Sequence, residues 1–120
     1  MEAELLTGSF DALTVESPYP GIQRTSFDSQ GATVTRYRFD PGAGFPLHRH
    51  EQEQLTMIIS GRVAFTVDGR EQQLGPGDWS VVPGGMEHGL RAGDQGTEFL
   101  AVIVPLREHS HAYAVSAGAD

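Results

Sequence analysis

Gly42-Ala43-Gly44-Phe45-Pro46-Leu47-His48-Arg49-His50-Glu51-Gln52-Glu53-Gln54-Leu55-Thr56-Met57-Ile58-Ile59-Ser60-Gly61 is the stretch whose reading decides the fold. Side chains two apart on a strand point to the same face. His48 and His50 therefore offer two imidazoles to one point, which suits a divalent metal ion. Gln54 begins the apolar run that follows, and a bend in the intervening segment brings its side-chain oxygen toward the same centre. Glu53, its neighbour, faces the other way on a regular strand.

Outward from that stretch the chain is punctuated by turn residues at regular spacing. Upstream, Ile22 to Phe27 and Ala32 to Phe39 alternate like strands, with Arg36 and Arg38 on one face and Thr35, Tyr37 and Phe39 on the other. Asp40 to Gly44 is expected to turn. Leu47–His50 and Gln54–Ile59 are expected as strands joined by an irregular step, and Ser60-Gly61 as a reversal before a strand over Arg62–Val67. Asp68-Gly69 is a strong hairpin signal. Strands are expected at Glu71–Leu74, Trp79–Val82, His88–Ala92 and Glu98–Val104, separated by Gly75-Pro76-Gly77-Asp78 and Pro83-Gly84-Gly85. Many short strands with such spacing indicate an all-β sandwich or closed barrel. Residues 1–120 form one domain with a core over about 22–104. Residues 1–21 supply an edge strand and loop, and 105–120 a polar tail with a short helix or none.

Composition narrows the function. The 120 residues carry a formal net charge of −8, and all eight basic residues are Arg. No basic stripe exists, so nucleic acid and anionic membrane are not expected partners. Without Cys there is no thiolate metal site, and any metal uses His, carboxylate or amide ligands. The start of the chain lacks the charged, apolar pattern of a secretory signal, and no apolar run approaches membrane-spanning length, so the expected location is the cytoplasm.

The histidine stretch carries a resemblance. Gly42-x5-His48-x-His50-x3-Gln54-x6-Gly61 is similar to the first cupin motif, and Gly77-x5-Pro83-x-Gly85-x2-His88 to the second. The similarity covers roughly Thr33 to Val104. It implies a small antiparallel, jelly-roll-like barrel, usually a homodimer, holding one divalent ion (Fe, Mn, Ni or Zn) on His48, His50, Gln54 and His88. Two positions depart from the pattern: Gln54 replaces the usual Glu, and Ala92 the usual Asn.

Three imidazoles and an amide are all neutral, so the ion keeps its full positive charge, and a strong Lewis acid that favours anionic oxygen ligands is expected. Within cupins the stretch resembles the branch with an HxHxxEQ core. That branch includes proteins similar to the pectin-degradation protein and small cyclases of aromatic polyketide pathways. The uronate-converting members carry an acid where this chain has Ala101.

The expected activity is thus a metal-dependent cyclase, isomerase or lyase acting on a small oxygenated molecule. Tyr37, Glu53 or a hydroxide on the ion are the candidate bases. A non-haem Fe(II) dioxygenase and a non-enzymatic small-ligand-binding cupin are the alternatives. Single histidines are usually ordinary core or surface residues; here it is their joint spacing that argues for metal. Trp79, Val81, Phe39, Phe65, Val67 and Ile103 are expected in the core, and Tyr37, Thr56 and Met57 as pocket liners. Arg36, Arg38 and Arg62 are expected in surface ion pairs, His109 and His111 in a solvated tail. The roles of Arg107 and Glu87 are open.

Overall fold

A computed structural model describes residues 4–106. Seven antiparallel strands follow a single 3-10 turn at Phe10–Ala12: β1 (Ile22–Asp28), β2 (Thr33–Phe39), β3 (Gly44–His48), β4 (Glu53–Val67), β5 (Arg70–Leu74), β6 (Trp79–Val82) and β7 (His88–Val104). They hydrogen-bond in the order β1-β2-β7-β4-β5, with β3 added to β7 and β6 to β4. The fold is the all-β, jelly-roll type expected from the sequence. Among the described residues no helix is long and apolar enough to cross a membrane.

The two longest strands build the barrel by serving both of its faces. The first half of β4 pairs with β6 and with the second half of β7, while Val63–Val67 pairs with β5 and with the first half of β7. This corrects two expected breaks. Ser60-Gly61 does not reverse the chain: β4 runs through it, and its register against β7 shifts on either side. Gly61 has φ +75°, and a Cβ there would collide with the Gly96 carbonyl oxygen. The glycine thus bends the strand, between the part paired with β6 and the part paired with β5, against a close backbone, as a β-bulge does. The expected gap between His88–Ala92 and Glu98–Val104 is likewise one bent strand. At Asp68-Gly69 both residues take positive φ, 51° and 79°, as a two-residue type I′ hairpin requires.

Alternation sets the core. Thr35, Tyr37 and Phe39 are buried as expected, with Phe45, Phe65, Phe99 and Ile103. Tyr19, Phe45, Tyr37, Phe39 and Phe99 form one connected ring cluster with centroid separations of 5.0–6.0 Å. Trp79 and Val81 are not in it. Register pairs Val82 with Gln54 and Ser80 with Thr56, so β6 turns Ser80 and Val82 inward and leaves Trp79 69% exposed. Met57 faces outward for the same reason. Among the described residues, 4–21 contribute the 3-10 turn and one isolated bridge, Glu16 to Arg24, rather than a full edge strand. Arg36 pairs with Glu98 (2.7 Å) and Asp11 (3.4 Å), matching its expected surface role.

Candidate metal centre

His48 closes β3, His88 opens β7, and the two are direct partners across that ladder. Gln54 is the second residue of β4. His50 lies beyond the end of β3, in the loop before β4, and is fixed there by its backbone: its carbonyl accepts from the Gly85 amide at 2.7 Å. Gly84 abuts the Glu51 carbonyl oxygen where no Cβ fits. The two motif loops therefore lock together, and His88 converges with His48, His50 and Gln54 of the first motif. All four are at least nine-tenths buried.

The imidazoles are oriented by the backbone. Nδ1 of His48 lies 2.9 Å from the Pro46 carbonyl oxygen, Nδ1 of His50 2.9 Å from that of Gln52, and Nδ1 of His88 2.9 Å from that of Met86. A carbonyl only accepts, so each Nδ1 carries a hydrogen, and in the neutral ring each Nε2 is then left with a lone pair. One ring nitrogen from each histidine lies within 4.8 Å of the others. Gln54 Oε1 is 3.2 Å from His50 Nε2 and 3.3 Å from His88 Nε2. Lone pairs facing one another repel unless a cation lies between them. Donors about 2.1 Å from a shared ion stand roughly 3.0–3.4 Å apart, so the spacing fits a first-row divalent ion. Gln54 Nε2 donates to Thr56 Oγ1 at 3.1 Å, leaving Oε1 as the end turned to the histidines.

Burial also prepares the donors. His88 has its pKa lowered from 6.5 to about 4, first by burial, with the nearby His50 adding to it and the Met86 carbonyl opposing it. It is therefore neutral, the ligating form, at neutral pH.

Tyr37 and Glu53 separate. Tyr37 is buried, accepts from Arg24 Nη1 at 3.4 Å, and lines a cavity of about 10 Å³ together with Phe45, His48, Gln54, Leu90 and Phe99. Glu53 is exposed on the opposite side of β4 from Gln54, because adjacent residues of a strand alternate. This removes it as a base acting inside the barrel. Thr56 faces inward, bonded to Gln54, and Met57 faces outward; the cavity walls named above include neither. Arg107, His109 and His111 lie outside the described residues. Sequence reasoning missed the carbonyls that orient the rings, the anchoring of Gln54 by Thr56, and Phe45 and Leu90 beside the donors. Of these only Thr56 had a signal, its two-residue offset from Gln54.

The family profile for the cupin domain matches residues 35–103. The chain belongs to the cupin family. Among curated relatives, the oxalate-binding protein of Thermotoga maritima is 28% identical over 87 residues, covering 71% of this chain and 72% of that protein. The endoribonuclease YbeY of Myxococcus xanthus is 30% identical over 88 residues, covering 72% of this chain. The chain spans only 29% and 31% of the length of the first curated relatives it matches. Among solved structures, KdgF from a Halomonas species superposes with a TM-score of 0.76 at 28% identity, covering 85% of this chain and 97% of that one. The cupin barrel and a three-histidine centre suited to a divalent ion are thus properties of this chain.

Proposed function

We propose that this cupin is a metal-dependent enzyme for a small oxygenated substrate, with His48, His50, Gln54 and His88 holding the ion, and cyclisation or isomerisation as the leading reaction. The observation that carries the reading is the all-neutral donor set: three imidazoles fixed as Nε2 donors by backbone carbonyls, and one amide oxygen. A divalent ion held there would supply strong Lewis acidity to a substrate carbonyl, enolate or carboxylate. Burial excludes bulk water from the donors, which strengthens electrostatic effects at the centre. Tyr37 is the candidate group for holding or moving a proton, since it lines the cavity beside His48 and Gln54 and its oxygen is held by Arg24.

The test is metal analysis of protein purified without added metal, followed by turnover assays against carbonyl and enol substrates with and without oxygen. Turnover that needs Fe(II) and consumes O2 overturns the Lewis-acid reading in favour of a dioxygenase. That second reading is favoured by the apolar side of the cavity, Phe45, Leu90 and Phe99. Metal or ligand binding with no turnover favours a binding protein.

Two copies are proposed to pair through the outer sheet face. Phe27, Val34, Val102, Leu55 and Val81 form one apolar row across five strands, and Trp79, Met57 and Leu100 lie in the next. An antiparallel sheet usually presents polar residues on its uncovered face, and an apolar patch of this kind marks an interface.

A further inference from the structure

The ring cluster that fills the barrel does more than pack: it closes on the donor centre and leaves little room beside it. The cavity next to His48 and Gln54 measures about 10 Å³, close to the volume that one water-sized ligand needs. Its remaining walls are Tyr37, Phe45, Leu90 and Phe99, all no more than 6% exposed.

These walls are braced from several sides. The Phe45 ring lies 4.8 Å from that of His48 and meets Tyr19 edge-on at 5.0 Å. Tyr37 stacks on Phe99 at 5.0 Å, stands edge-on to Phe45 at 6.0 Å, and is tethered at its oxygen by Arg24. Register places Leu90 between Phe45 of β3 and Phe65 of β4. Aromatic rings braced in this way do not yield to a ligand without disturbing several contacts at once. Leu90 is the one aliphatic side chain in this wall and takes no part in these ring contacts.

We propose that this wall is a size filter, with Leu90 the residue that sets it. The centre accepts a ligand whose donor end is narrow, such as a carboxylate head or a diatomic, and rejects one carrying a ring next to its donor atom. The proposal rests on the metal reading above and narrows its substrate class.

The experiment loads the full chain with Co(II) and titrates azide, formate, acetate and benzoate, reading the visible Co(II) bands. In the native protein, formate and azide are expected to bind at least about tenfold more tightly than benzoate. In Leu90→Ala the benzoate penalty is expected to shrink about tenfold or more, while azide affinity changes by less than about threefold. Leu90→Val, which removes less volume, is expected to fall between the two, and keeps the test alive should the alanine variant fold poorly. Co(II) uptake with equal affinity for formate and benzoate overturns the filter and leaves the metal reading standing. An unchanged ratio in both variants overturns the role of Leu90. No Co(II) uptake by the native protein overturns the metal reading and the filter with it.

Discussion

His48 and His88 face each other directly across the β3–β7 ladder, with ring centroids 4.3 Å apart. Register between strands, not proximity in sequence, brings the two motifs into one donor set. Removing either ring therefore removes a ligand that no neighbour replaces. His48→Ala and His88→Ala are expected to bring metal content, measured by elemental analysis of purified protein, from near one ion per chain to near zero. Wild-type metal content in both variants would refute the centre.

The His88 environment predicts a pH dependence of the metal-stripped protein. Its folded pKa of about 4 lies below the ordinary 6.5. Between those values the unfolded chain takes up a proton that the folded chain refuses. Stability is thus unaffected by this group above about pH 6.5, falls as the pH drops toward 4, and levels off below that. The loss amounts to roughly 3 kcal/mol by linkage. Urea unfolding from pH 7 to pH 4 should show that decline, and His88→Phe should show less of it.

Gln54 is the residue where this chain departs from the cupin pattern, and a carboxylate there would add a negative charge beside the ion. Gln54→Glu is expected to tighten binding of Co(II) or Zn(II) by about tenfold or more, since the charge acts in a buried, poorly screened site. Thr56→Val acts in the opposite direction. It strips the acceptor from the buried amide Nε2, and loss of such an outer partner lowers metal affinity by about 10–100-fold. Calorimetric titration of both variants checks the two signs together.

The outer face gives a prediction about assembly. Trp79→Glu places a charge at the most exposed ring of the apolar sheet and is expected to convert a dimer to a monomer in analytical ultracentrifugation, without changing metal content. A wild-type protein that sediments as a monomer would refute the pairing.

Much of this was legible in the sequence, and what was not has a physical reason. The alternation of Thr33–Phe39 fixed the inward side of β2, because an unbroken strand keeps its parity. Histidine spacing pointed to the donors even though His50 lies outside the strand. Trp79 and Val81 were misplaced because hydrophobicity does not tell which face of a short strand looks inward; that depends on pairing with Gln54 and Thr56 on a strand distant in sequence. The carbonyl partners of the histidines are backbone groups, available at every residue and so invisible in the residue pattern. Ser60-Gly61 was misread because a glycine of positive φ serves a reversal and a bulge equally well.

That last ambiguity can be settled by two glycines. Gly61 and Gly69 share almost the same φ, 75° and 79°, but a Cβ at Gly61 would meet the Gly96 carbonyl oxygen, while nothing lies within 4 Å of one at Gly69. The conformational cost of alanine, about 1–2 kcal/mol, is common to both. The backbone collision is confined to Gly61, where β4 and β7 both bend and lie against each other. Gly69→Ala is expected to lower Tm by less than about 8 °C, and Gly61→Ala by clearly more or to prevent folding. Calorimetry of the two variants decides it. Equal losses would mean that β4 and β7 separate easily at this point, and that Gly61 acts only through its backbone angle.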